Sequence, residues 1–185
     1  MVVPHRRALV VYESMYGNTR VVAGNIADGL RVGYEVTLVP VAEATAELVA
    51  GADLLVAGGP THMHGLSTAS TRRTAMKAAA KDGSELQLDP DANGPGMRDW
   101  LKDLGHRDGL AAAFDTRING VPAFTGRASR PMAKLLKRHG YRLVAAPESF
   151  LVSSQSTLLD GEANRARRWG MTIGAASKTY LPAHA

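Results

Sequence analysis

Ala8-Leu9-Val10-Val11-Tyr12-Glu13-Ser14-Met15-Tyr16-Gly17-Asn18-Thr19-Arg20 passes from an apolar run into a small hydroxyl-bearing loop and then into a helical pattern. Leu9, Val10, Val11 and Tyr12 are β-branched or bulky with little alternation, the pattern of a central parallel strand covered on both faces. Ser14 to Thr19 then offers side-chain hydroxyls and consecutive backbone N–H groups, and Gly17 permits a positive φ or a close backbone approach. From Asn18 onward Val21, Val22, Ile26 and Leu30 mark one helical face. The loop therefore lies at a helix N-terminus, where unpaired N–H groups and the macrodipole attract anions. An N-cap at Asn18 or Thr19 in an ordinary strand-to-helix connection is the plainer alternative. A Walker A loop needs a Lys before its final hydroxyl residue, and a dinucleotide fingerprint needs three spaced glycines; this stretch has neither.

The same logic recurs downstream. Residues 34–39 alternate as a second strand, residues 42–49 suit a short helix, and residues 53–60 form another apolar strand ending in Gly58-Gly59-Pro60. Strands and helices at this spacing predict parallel βαβ units with right-handed crossovers, a doubly wound α/β sheet with helices on both faces. Ligands in such sheets collect beyond the carboxyl ends of the strands, where both loops fall.

The hexapeptide from Ser14 to Thr19 after a first strand resembles the FMN phosphate loop of the flavodoxin family, which implies a five-stranded parallel sheet and a non-covalently bound FMN. Pro60-Thr61-His62-Met63-His64-Gly65 resembles that family's second flavin loop, which implies packing against the ring system. Two histidines and a methionine bring hydrogen-bonding capacity and polarisable surface, although the Trp often found there as a stacker is absent. A metal role for His62 and His64 lacks an evident third ligand, and a polar surface turn is the other reading.

Residues 67–96 exceed an ordinary connection. Residues 71–81 favour a helix, and residues 82–96, rich in Asp, Pro and Gly, read as an irregular excursion, either a lid over the site or an oligomer contact. A third crossover helix over residues 95–104 buries Met97, Trp100, Leu101 and Leu104, so helical spacing places Trp100 in the core rather than on a flavin.

Residues 110–115 form a fourth strand, ending in a long loop that begins at Asp115. Phe-Asp-Thr-Arg over residues 114–117 and Gly-x-x-Ser over residues 126–129 resemble a group of actinobacterial flavodoxin-like proteins more than the short electron-carrier flavodoxins. The resemblance places Asp115, Thr116 and Arg117 near the pyrimidine edge of the flavin. A cation at Arg117 would stabilise the reduced anionic flavin and raise its potential; an exposed loop arginine is the alternative. Phe124 either covers a ring face or anchors its loop. Residues 131–138 complete a fourth crossover helix closed by His139-Gly140, and residues 143–152 a fifth strand interrupted at Pro147. Residues 160–179, capped by Asp160 and followed by Pro182, form the last helix, with a disordered tail around His184.

Composition narrows the rest. The 185 residues suit one domain with a full α/β core. Cysteine is absent, which excludes disulfides, thiolate metal sites and a thiol nucleophile. No apolar run approaches the roughly 20 residues of a spanning helix. Residues 1–7 lack the pattern of a secretory signal, so a cytoplasmic protein is expected. The formal charge of +5 is scattered over several segments without a nucleic-acid reading element, which leaves solvated helix faces or contact with acidic partners. No catalytic triad is visible. The functional expectation is an FMN redox protein serving a partner protein. The alternatives are an NAD(P)H-dependent oxidoreductase acting on a quinone-like acceptor and a binding module that has lost FMN.

Overall fold

The computed structural model describes residues 6–180. Its elements are β1 (Arg7–Tyr12), α1 (Asn18–Leu30), β2 (Glu35–Pro40), α2 (Ala46–Gly51), β3 (Leu54–His62), β4 (Gly65–Leu66) and α3 (Ala69–Ala79), followed by α4 (Met97–Lys102), β5 (Gly109–Ile118), α5 (Pro122–Thr125), α6 (Ser129–Arg138), β6 (Tyr141–Leu143), β7 (Glu148–Val152) and α7 (Glu162–Lys178). One sheet runs β2-β1-β3-β5, and then β6 and β7 share the last position beside β5. All of these pairings are parallel; the two-residue β4 alone pairs antiparallel, with the end of β3. The chain moves from β1 outward to β2 and returns past β1 to β3, so winding reverses between β1 and β3. The crevice between their carboxyl ends is the switch point.

Helices cover both faces. On one side Val22, Ile26 and Leu30 of α1 and Ile173 of α7 pack on Val10, Tyr12, Val56 and Ala112. Phe114, Phe150 and Trp169 meet edge to face there, with centroids 6.1 to 6.3 Å apart. On the other side Leu9, Val11 and Ala57 meet Met97, Leu101, Met132 and Leu136. Two glycines set the approach of α1 to α7, because a Cβ on Gly29 or Gly170 would overlap the backbone of Arg167 or Ile26.

Several expected boundaries move. Residues 42–49 divide into a 3₁₀ turn at Val41–Glu43 and α2, whose N-cap Thr45 accepts from the Leu48 N–H. The helix expected over 71–81 starts two residues earlier, because Thr68 and Thr71 form a reciprocal capping box. The fourth strand runs on through Ile118, so Asp115, Thr116 and Arg117 lie in β5 rather than in a loop. The cause is β7, which pairs Phe114 through Ile118 with Glu148 through Val152. The fifth strand is two short strands because Pro147 and its neighbours leave the ladder. The last helix is preceded by Gly161 at φ 82° and not capped by Asp160. Pro182 and His184 lie outside the described residues, as do residues 1–5.

Candidate functional site

Loops at the carboxyl ends of β1, β3 and β5 enclose a cavity of about 510 Å³, within the range of small-molecule and cofactor sites. Its first wall is the β1–α1 loop. Gly17 sits at φ 86° as the residue before α1, a conformation that favours glycine. Among the described residues no backbone N–H from Ser14 to Thr19 donates a hydrogen bond, and the first bond of the helix is Val21 N–H to Gly17 C=O. Ser14 Oγ is buried without a partner. Six consecutive amides and a hydroxyl are thus left unpaired at a helix N-terminus, where a bound anion is favoured.

The loop is held from outside itself. Met15 C=O accepts from Asp89 N–H at 2.8 Å, Tyr16 Oη donates to Ala75 C=O at 3.0 Å, and Asn18 Nδ2 donates to Ser156 C=O at 2.6 Å. The Met15 side chain is buried with Ala75 and Ala92. Asp89, with no side-chain exposure, pairs with Arg20 at 3.2 Å, and Tyr12 Oη donates to Asp91 at 3.3 Å. Burial, reinforced by Asp91 and Asp89, pushes the Tyr12 hydroxyl up to about 12, so it stays a donor to Asp91. These contacts make the 67–96 excursion a wall strapped to the loop: α3 lines the cavity with Ser70, Thr71, Thr74, Ala75 and Ala78, and residues 89–92 tie it down.

The second wall is a hairpin. Thr61 pairs with Leu66 and His62 with Gly65, leaving Met63 and His64 at its tip, both in the left-handed region at φ 45° and 73°. Pro60, Thr61, His62 and Met63 line the cavity. Burial holds the His62 imidazole below its ordinary value, with Glu13 opposing and Arg72 adding to the effect. The hairpin docks on the segment after α5: His64 bridges Gly126, and Thr61 Oγ1 accepts from Ala128 N–H at 2.9 Å. Gly126, at φ 74°, leaves no room for a Cβ against the His64 backbone.

The third wall is the end of β5. Thr116 Oγ1 and Thr19 Oγ1 share a 2.7 Å hydrogen bond across the cavity floor. Arg117, mostly buried, spends Nη1 on Ile118 C=O, Gly120 C=O and Thr125 Oγ1, while its Nε is buried without a partner. Burial lowers its affinity for a proton and Asp115 partly restores it. Asp115 is fully buried and accepts from the Ser129 N–H at 2.6 Å, at the start of α6. Burial pushes its carboxyl up and that hydrogen bond pulls it down.

Of the residues singled out by sequence, Met15, Tyr16, Asn18, Thr19, Pro60, Thr61, His62, Met63, Thr116 and Arg117 line the one cavity. Ser14 and Gly17 belong to the loop beneath it, His64 and Gly65 to the hairpin turn, and Asp115 to the α6 junction. Phe124 is 76% exposed on the outer surface, away from the lining. Sequence reasoning missed the α3 face, Ile118, Val152 and Ser156. Hydroxyl and small residues at positions 70, 71, 74 and 78 do repeat at helical spacing, a readable signal. Ser156, at φ 59°, has none. Trp100 lies against the core and donates to Ala44 C=O at 3.2 Å. Among the described residues no three metal-ligating side chains gather, and no helix is long and apolar enough to cross a membrane.

The family model described as flavodoxin matches residues 10–97. No curated protein matches this sequence. Among solved structures, a flavodoxin from the domain Archaea superposes with a TM-score of 0.64 at 17% identity, covering 93% of this chain and 99% of its own. Oxidised flavodoxin 1 of Bacillus cereus gives 0.62 at 18% identity, covering 95% and 99%. The rubredoxin oxygen:oxidoreductase of Desulfovibrio gigas gives 0.64 at 19% identity over 96% of this chain and 37% of its own. The chain is thus similar to the flavodoxin family in sequence over residues 10–97, and it has the fold of the flavodoxins over more than nine-tenths of its length.

Proposed function

We propose that the cavity holds FMN non-covalently and that the protein passes electrons through it to and from a redox partner protein. The supporting observation is the run of six unpaired amides from Ser14 to Thr19 with the unpartnered Ser14 Oγ, a donor set whose chemistry matches a phosphate monoester. Ser14, Gly17, Asn18 and Thr19 hold the phosphate. Thr61, Thr116 and the α3 hydroxyls offer partners to a polyol chain. Tyr16, Pro60, His62 and Met63 bound the space for a flat ring, with Arg117 in the wall beside it. The flavin supplies one- or two-electron chemistry when bound, and the protein supplies position, exclusion of water and the electrostatics that set potential.

A second reading, reduction by NAD(P)H with a quinone-like acceptor, gains support from α3. This helix carries Arg73 and Lys77, exposed beside a cavity wall already rich in hydroxyls. Titration of the purified protein with FMN and with riboflavin, followed by absorbance and flavin fluorescence, tests the phosphate assignment. Tight FMN binding with weaker riboflavin binding is expected, and equal affinity for the two would remove it. Rapid bleaching of the loaded protein by NAD(P)H alone would favour the oxidoreductase over the shuttle. No flavin binding at all would leave a binding module.

A further inference from the structure

Four large apolar side chains are left in solvent along one edge of the cavity mouth. Met63, 83% exposed, stands at the hairpin tip, and Phe124, 76% exposed, stands on α5. Their segments meet where His64 bridges Gly126. Ile118 and Val121, also exposed, lie on the chain between β5 and α5. Arg117 ties that stretch to the cavity wall through Gly120 C=O at 2.9 Å and Thr125 Oγ1 at 3.0 Å. Met63 and Ile118 themselves line the cavity, so the apolar edge borders its opening.

The charge around this edge has one sign. No Asp or Glu occurs between residues 54 and 81 or between residues 116 and 147, and these two stretches hold half of the Lys and Arg of the chain. Spread along the sequence, they converge in the fold: the first supplies the hairpin and α3, the second supplies the end of β5, α5 and α6. On α3, Ser70, Thr74 and Ala78 face the cavity. Arg73 and Lys77, both exposed, follow Ser70 by three and seven residues, a spacing that sets them on the flank of the lining face. On the opposite side Arg130 is exposed in the first turn of α6, two residues after the Ala128 amide that Thr61 holds. No carboxylate lines the cavity. Those packed behind it are committed: Asp115 to the Ser129 amide, Glu148 and Glu162 to Arg165, Asp89 to Arg20. Asp82 and Glu85 come only after α3 has ended. The positive field at the mouth is therefore largely uncompensated.

This combination selects among occupants. A second copy of the chain would bring the same cations to the same edge and be repelled. An interfacial membrane helix needs an extended apolar face, and α5 has four residues. Aromatic and Met side chains at the centre of a patch with charge at its rim are the composition of a protein interface. We propose that this edge is the docking surface for an electron-carrier protein with an acidic face, with Met63, Val121 and Phe124 making the central apolar contacts and Arg73, Lys77 and Arg130 steering the approach. The inference rests on the reading of the cavity as an FMN site. In the transfer one electron leaves the reduced centre of the partner, which is oxidised, and enters the flavin, which is reduced.

The test uses the FMN-loaded full chain and two electron-transfer probes of opposite charge, followed by stopped-flow absorbance. A reduced plant-type [2Fe–2S] ferredoxin of net negative charge serves as donor to the oxidised protein, and cytochrome c of net positive charge as acceptor from the reduced protein. We expect the rate constant with ferredoxin to fall as ionic strength rises and that with cytochrome c to increase. Joint replacement Arg73→Glu and Lys77→Glu should slow ferredoxin about tenfold at low salt and flatten its salt dependence. Phe124→Ser should slow it severalfold with the salt dependence and FMN affinity of the wild type, a split that general loosening of the fold does not produce. A ferredoxin rate that increases with salt, or one that neither variant changes, overturns the proposal. So does loss of NADPH bleaching in the α3 variant with ferredoxin transfer intact, which assigns those cations to a nucleotide phosphate. Co-sedimentation with phosphatidylglycerol vesicles that Phe124→Ser abolishes assigns the edge to a lipid surface and overturns it too. A chain that takes up no FMN fails before either probe is mixed and overturns the cavity reading instead, so the two failures separate.

Discussion

The loops at the ends of β1 and β5 face each other across the cavity and are built by opposite means. Residues 14–19 keep their own amides unpaired and are held by groups that arrive from far along the chain: the Asp89 amide, the Ala75 carbonyl and the Ser156 carbonyl. The segment after β5 spends its local groups on itself. Arg117 stitches together Ile118, Gly120 and Thr125, and Asp115 secures the first amide of α6. A loop that must bind an anion has to leave donors unsatisfied at some cost, and rigidity must then come from outside. A loop that mainly shapes a wall has no such conflict. Substitutions in the first should therefore act on ligand affinity, and substitutions in the second on stability.

The largest expected effect would break the contact between the hairpin and the β5 side. Gly126→Ala combines an unfavourable φ with overlap against the His64 backbone and should lower unfolding free energy by about 3 kcal/mol, read by chemical denaturation; a wild-type midpoint would mean that the two segments part freely. Arg117→Ala removes one donor group from three acceptors and should cost about 2 kcal/mol in the same experiment. It should also lower the reduction potential of the loaded protein, and a potential that stays put would make Arg117 a staple and nothing more. Thr19→Ala should weaken FMN by about 1–3 kcal/mol in a fluorescence titration, with a smaller loss of stability from the Thr116 partner; the reverse ranking would erase the contrast between the loops.

The smallest effect concerns acid stability behind the β5 side. Burial disfavours the Glu162 carboxylate, but hydrogen bonds from Arg165 and the Leu151 N–H outweigh it and hold the group below its ordinary value. A depressed carboxylate contributes stability that is present above its unfolded value, near pH 4.3, and is lost as pH falls through its folded value. Thermal melts of Glu162→Gln should thus lose part of the wild-type pH dependence below about pH 4.5. A curve parallel to wild type would assign that dependence to other groups.

Periodicity and loop chemistry made much of this architecture readable. The uniform apolar runs of β1, β3 and β5 announce strands covered on both faces, and 10 of the residues singled out beforehand share the cavity lining. Boundaries failed where a distant partner decides them. β5 continues past Asp115 because β7 pairs with it, and no local property of Asp115-Thr116-Arg117 carries that information. The family resemblance places Asp115 at the flavin edge, and no local property of the residue announces that its carboxylate accepts from the Ser129 amide. The composition of the excursion suits either a lid or an oligomer contact. Its fixed position depends on Arg20 meeting Asp89 and on Tyr12 meeting Asp91, 69 and 79 residues apart.

The sequence by itself determined the parallel α/β class, the order of strand, loop and helix, and the hydroxyl-bearing loop with free N–H groups at the first strand end, because hydrophobic period and helix-terminal N–H groups are local properties. Tertiary structure alone decided that α3 and Ser156 complete the cavity, that Arg117 is spent on its own loop, and that Glu13 holds the Met97 amide. Each of these depends on which side chains long-range packing brings within hydrogen-bonding or Coulombic reach, and burial then strengthens the interactions that solvent would screen.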